Sequence, residues 1–158
     1  ARRTAISEAL IFAVPYFARN DFDGTRRVID ISGDGPNNWG PPVTEARDVA
    51  VAAGVTINGL PIVNGRPSRW GWPSMPNLDL YYRDCVIGGP GAFIVVANEF
   101  KDFSSAILRK LILEIAGKTP GKAPDAATSS MVRPAAAPMG PPCDYGERLR
   151  DSFDVDDM

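Results

Sequence analysis

At 158 residues the chain is long enough for one ordinary domain plus a tail, and 44% hydrophobic against 23% charged residues is the balance of a globular protein. A net charge of −2 without any basic block argues against nucleic acid as a partner. Histidine is absent, which excludes Ser-His-Asp and Cys-His catalysis and histidine-ligated zinc within this chain; any metal must sit on oxygens, as magnesium, calcium or manganese do.

The spacing of Ile6, Leu10, Ile11 and Val14 predicts a helix over Thr4 to Ala18, with Thr4 or Ser7 as its cap and Pro15 limiting its last turn. Asn20 to Gly24 reads as a polar turn. Arg26 to Ser32 follows as a strand whose β-branched run, Val28, Ile29 and Ile31, suits burial on both faces. The glycines of Ser32-Gly33-Asp34-Gly35-Pro36 permit a sharp turn that leaves Asp34 at the carboxyl end of that strand. Open α/β sheets bind ligands there, so Asp34 is the first candidate functional residue. A solvated Asp-Gly turn is the competing reading.

Pro42 to Ala53 is predicted as the next helix, with Val43, Ala46, Val49 and Ala50 as its apolar stripe and Gly54 as its stop. Val55 to Pro61 then reads as a strand, completing a βαβ unit with parallel strands. Val63 to Pro76 is irregular and carries Trp70 and Trp72. Leu78 to Val86 is predicted as a short helix, Ala92 to Ala97 as a buried strand, and Phe100 to Ala116 as a helix with Phe103, Ile107, Leu111 and Ile115 on one face and Leu108 and Ile112 beside them. Thr119 to Pro142 is rich in Pro, Ala, Ser and Gly and is expected to be a flexible tail, since it has little apolar surface to bury. Cys143 to Arg150 can re-form local structure, and Asp151 to Met158 is an acidic end. The longest apolar run, Val86 to Ala97, is interrupted by Gly88-Gly89-Pro90-Gly91, so no membrane span is expected.

Several other signals carry less. Gly88-Gly89-Pro90-Gly91 lacks the lysine and Ser/Thr of a phosphate loop and precedes a strand, so a tight turn is expected. Trp39, Trp70 and Trp72 lie in Gly/Pro-rich loops, where aromatics either anchor a partner or cap the core edge. Two cysteines, Cys85 and Cys143, fit one disulfide in an oxidising compartment or two thiols in a reducing one.

The order of residues resembles a von Willebrand factor A-like domain. Arg3-Thr4-Ala5-Ile6-Ser7-Glu8-Ala9-Leu10 is similar to the family's motif opening a helix with a threonine, and Ile31-Ser32-Gly33-Asp34-Gly35 to its strand-terminal aspartate turn. Ala46-Arg47-Asp48 and Ala52-Ala53-Gly54-Val55-Thr56-Ile57 resemble the helix and strand that follow. The strings RRVIDISGDGPNN, GVTINGLPI, YYRDCVIGGPGAF and RKLILEIAG look like a bacterial, mostly exported branch catalogued as a domain of unknown function.

The resemblance implies a Rossmann-like parallel sheet with flanking helices. It implies the C-terminal part of the domain over 1–117, with a largely disordered Pro/Ala-rich tail over 118–158. The family's Asp-x-Ser-x-Ser motif does not occur in the chain, so a fragment lacking the N-terminal strands is expected. Of the family's metal ligands only Thr4 and Asp34 carry over, so magnesium is expected to bind weakly. The implied function is metal-assisted, non-enzymatic binding of a protein ligand through an acidic side chain, with Asn37, Asn38, Trp39, Trp70 and Trp72 as candidate contact residues.

The export-like resemblance implies a Cys85–Cys143 disulfide and a periplasmic or secreted location. Two other functions are compatible with the sequence. One is a metal-dependent hydrolase using Asp34 with Asp30, Glu45 or Asp48 as base; the other is a carbohydrate surface on Trp70 and Trp72. The three strands are expected in chain order, which leaves Val28 to Ile31 at an open edge through which the chain would self-associate.

Overall fold

The computed structural model describes residues 3–22, 24–65, 74–116, 132–133 and 140–154. Strands β1 (Arg27–Gly33), β2 (Val55–Pro61) and β3 (Ile94–Val95) run parallel and lie side by side in chain order. A short β4 (Val132–Arg133) pairs antiparallel with β3. β1 and β2 are in register from Arg27 opposite Val55 to Gly33 opposite Pro61. Helices α1 (Ile6–Ala13), α2 (Val43–Ala52) and α3 (Leu78–Tyr81) pack on one face of the sheet, and α4 (Phe103–Ile115) packs on the other. This is an α/β, Rossmann-like parallel sheet with flanking helices. Among the described residues no helix is long and apolar enough to cross a membrane.

The two cores follow from strand alternation. Val55 and Ile57 of β2, with Ile94 of β3, point toward α1, α2 and α3, while Leu60 and Val95 point toward α4. β2 is the strand buried on both faces, not β1. The expectation for β1 fails because β1 has no neighbour on its outer side among the described residues, so its isoleucines are only half-buried and Asp30 and Ser32 are exposed.

Helix boundaries also moved. α1 ends at Ala13, and Val14–Ala18 tightens into a 3-10 turn at Pro15, whose ring cannot continue an α-helix. Neither Thr4 nor Ser7 caps it: Ala5 holds the cap position without a side-chain bond. In α2 the expected stripe loses Val49, which is 65% exposed, leaving Val43, Ala46 and Ala50 inside. α3 runs on into a π-helical turn, Tyr82–Val86, and the third strand is shortened to Ile94–Val95.

The largest change is in α4. Its buried residues are Ala106 and Lys110, with Phe103, Ile107 and Leu113 partly buried around them, whereas Leu108, Leu111, Ile112 and Ile115 are exposed, Ile115 to 84%. In this orientation Lys110 meets acidic partners beneath the helix and much of its apolar face is left outward.

The Thr119–Pro142 tail expectation falls mostly outside the described residues. Within that stretch the structure describes β4 and residues 140–142, beyond which comes helix α5 (Tyr145–Asp154). Residues 155–158 of the acidic end lie outside the described residues.

Candidate functional site

The carboxyl end of β1 is built by a reciprocal pair of hydrogen bonds between Thr4 and Asn38. The Thr4 amide donates to Asn38 Oδ1 at 2.6 Å, and the Asn38 amide donates back to the Thr4 carbonyl at 2.9 Å. This ties the entry of α1 to the loop that leaves β1. A Cβ on Gly35 would lie 3.6 Å from the Thr4 hydroxyl, so Thr4 stands directly beside the Asp34 turn, and Asp34 itself is exposed. The two residues singled out by the resemblance thus share one end of the sheet. Gly33 serves space, not an unusual φ: a Cβ there would sit 2.7 Å from the Tyr82 hydroxyl. That hydroxyl is buried and has no hydrogen-bond partner among the described residues. Burial raises its pKa, with Tyr81 and Asp34 adding to the rise.

Asn37, expected to face a partner, is fully buried. Its Oδ1 accepts from the Ser7 amide at 3.0 Å and from the Ser7 hydroxyl at 3.2 Å. Its Nδ2 donates to Glu147 Oε1 at 2.8 Å and to the Pro41 carbonyl at 3.3 Å, and its amide donates to the Tyr81 hydroxyl at 3.1 Å. The side chain is spent on joining α1, the loop and α5, while the backbone amide reaches α3, which removes the residue from recognition. Sequence reasoning missed Glu147 and Tyr81 because they lie 110 and 44 residues away and belong to no local motif.

Trp39 is the aromatic that remains available, at 39% exposed. The Arg3 guanidinium lies 3.4 Å from its ring centroid, and that of Arg150 lies 6.0 Å away. Arg150 also donates to the Asn38 carbonyl at 3.2 Å and pairs with Asp151 at 2.7 Å. Arg3 adjoins the Thr4 motif in sequence, and no pattern announced the role of Arg150. Trp70 and Trp72 lie outside the described residues.

A second polar cluster lies on the α4 face. Lys110, 3% exposed, pairs with Asp30 and, at 2.6 Å, with Glu114. Glu114 Oε1 also accepts from Asn58 Nδ2 at 2.6 Å, and Asn58 Oδ1 accepts the Phe93 amide at 3.1 Å. Burial raises the Asp30 pKa, with Lys110 pulling the other way. Burial works against the charge of Glu114 too, but hydrogen bonds from Lys110 and Asn58 outweigh it and the pKa is lowered. The visible signal was a charged residue inside the strand Val-Ile-Asp-Ile together with an (i, i+4) Lys110–Glu114 pair in an apolar helix. Asp30 and Asp48, considered as general bases, are held by Lys110 and Arg47 respectively.

Among the described residues no three His, Cys, Asp or Glu side chains gather as a metal site. Thr4 and Asp34 supply one hydroxyl and one carboxylate, which leaves most of magnesium's six oxygen positions to water.

A family model matches residues 1–119, well over half of the chain. The chain belongs to this family, DUF1194, whose members are proteins of unknown function. No curated protein and no solved structure matches it. The DUF1194 match covers both the carboxyl end of β1 and the Lys110 cluster, and stops before α5. In this DUF1194 chain, Cys85 and Cys143 form a disulfide with Cα atoms 5.4 Å apart, which fastens the segment leading into α5 to the π-helical turn.

Proposed function

We propose that this chain is a protein-binding module of von Willebrand A type, acting by recognition and not by turnover. Its binding face is the carboxyl end of β1 with the Trp39 loop, and its ligand presents an acidic side chain. The observation that carries this reading is the Arg3 guanidinium lying 3.4 Å from the Trp39 ring, beside Thr4 and the Asp34 turn. A guanidinium placed over an indole face can still present N–H groups to a planar carboxylate, which it can bind bidentately. Arg and Trp are also the residue types that dominate binding hot spots. The position is the ligand-binding end of a parallel sheet.

A metal-assisted form of this recognition needs oxygen donors beyond Thr4 and Asp34, and no step of the proposed binding is routed through a metal. A periplasmic or secreted location belongs to the same proposal, because a disulfide persists in oxidising compartments. Self-association through Val28–Ile31 is proposed alongside, since the outer edge of β1 is unpaired among the described residues. A cleft of about 260 Å³ runs there between Thr4–Ala9 and Asp30–Ser32.

The test is selection of displayed random peptides against the intact, disulfide-bonded chain. Enriched peptides should carry Asp or Glu and should lose roughly 30-fold or more in affinity on Trp39→Ala, as a hot-spot residue does. Enrichment indifferent to acidic residues, or binding unchanged by Trp39→Ala, would overturn the reading.

A further inference from the structure

Residues 140–154 lie across the loop that follows Asp34, and their attachment is concentrated at one covalent point. Cys143 is bonded to Cys85. Around that bond the Gly140 amide donates to Asp84 Oδ2 at 2.7 Å, and the Tyr81 hydroxyl reaches the Cys143 carbonyl at 3.4 Å. Farther along, Asn37 Nδ2 donates to Glu147 Oε1 at 2.8 Å and Arg150 donates to the Asn38 carbonyl at 3.2 Å. Gly146 packs so tightly against the Asn37 carbonyl that a Cβ has no room.

The fit is not fully relaxed. Glu147 Oε2 is buried without a hydrogen-bond partner among the described residues, and an unsatisfied buried carboxylate oxygen opposes the docked arrangement. The buried core is drawn from other elements. Every fully buried member of both apolar clusters lies between Ile6 and Ala106, while Cys143 and Tyr145 are only partly buried against them.

We propose that 140–154 is a redox-releasable strap. With the disulfide intact it holds the Pro36–Pro41 loop through Asn37 and Asn38; with the disulfide reduced it leaves, and that loop gains freedom while the sheet stays folded. The reductant is a dithiol. Cys85 is fully buried and Cys143 half-buried, so attack is assigned to the Cys143 sulfur. One thiolate of the dithiol bonds to Cys143 Sγ, the S–S bond breaks, and Cys85 leaves as a thiolate that takes a proton. The second thiol displaces Cys143 from the mixed disulfide, so Cys85 and Cys143 end as thiols and the dithiol as a disulfide.

The coupling to the binding face runs through Asn37. Its Oδ1 bonds stay with Ser7, but without Glu147 its Nδ2 keeps only the 3.3 Å bond to the Pro41 carbonyl. The Asn38 carbonyl likewise loses Arg150, and Arg150 withdraws from Trp39. The strap therefore sets how firmly the Asp34–Trp39 turn is held, whatever that turn binds.

Amide hydrogen exchange of the folded chain, oxidised and after mild dithiol reduction, tests this without reference to any ligand. Reduction should raise exchange at least 10-fold in residues 145–154 and in residues 36–41, while β2 keeps its protection; Cys143→Ser should reproduce the reduced pattern. Unchanged protection of 145–154 would show that the noncovalent contacts hold the segment alone. Loss of protection in β2 at the same time would show a global staple with no local release. Release of 145–154 with 36–41 unmoved would remove the coupling. Any of these three results overturns the proposal.

Discussion

Replacing Lys110 by Met is the sharpest probe of the interior of α4. The side chain is buried and bridges Asp30 and Glu114. Breaking a fully buried ion pair by removing one partner costs about 3–5 kcal/mol, because the remaining charge is stranded. Here the Asp30 side chain is 40% exposed and can be rehydrated, whereas that of Glu114 is 16% exposed and keeps only its Asn58 bond. The expected loss is therefore about 2–3 kcal/mol, below the fully buried range. For a domain of this size that corresponds to a fall of roughly 5–10 °C in Tm. Urea unfolding followed by circular dichroism measures it. Replacing the three ionic residues together, as Asp30→Leu, Lys110→Met and Glu114→Leu, should recover most of the loss, since packed apolar groups commonly substitute for a buried network without penalty. A Lys110→Met change within about 0.5 kcal/mol of the parent, the ordinary surface value, would refute the idea that Lys110 sets the roll of α4.

Gly33→Ala should cost about 1–3 kcal/mol, because its methyl would meet the Tyr82 hydroxyl at 2.7 Å. In a Tyr82→Phe background the cost should shrink, and equal costs in both backgrounds would show that the hydroxyl is not the obstacle. The hydrogen bond from Arg83 lowers the Asp84 pKa, against burial and with help from the Gly140 amide. A carboxyl lowered on folding contributes stability above its unfolded pKa and loses it as pH falls through the folded one. The Gly140 amide resonance should therefore move only below about pH 4, and a resonance left in place by Asp84→Asn would contradict the Asp84 contact. Mass spectrometry of never-reduced protein should find a Cys85–Cys143 linked peptide, and two alkylatable thiols would exclude it.

The sheet was legible because β-branched runs and glycine stops fall at the right spacing: Val28 to Ile31, Gly54, and Val55 to Ile57 mark β1, the end of α2 and β2 without any tertiary information. What the sequence hid is tertiary by nature. Helical periodicity placed Leu111 and Ile115 on the buried face of α4, but that face holds Lys110, whose partner Asp30 lies 80 positions away. Thr4 and Asp34 were singled out as a pair by resemblance alone, and the structure puts Thr4 beside Gly35 at the same end of the sheet. Asn37 looked like an exposed loop amide, yet Ser7, Tyr81 and Glu147 enclose it from three separate elements. Arg150 could not be placed because it reaches Trp39 through a segment whose position depends on Cys143.

The most direct test of the proposed recognition is an amide NMR titration of the oxidised chain with a selected acidic peptide and with the same peptide carrying Gln in place of Glu. The acidic peptide should shift the amides of Arg3, Thr4, Gly35, Asn38 and the Trp39 indole, and the Gln peptide should bind at least 10-fold more weakly. Shifts centred elsewhere on the chain, or equal binding of the two peptides, would contradict the claim that the carboxyl end of β1 receives an acidic side chain.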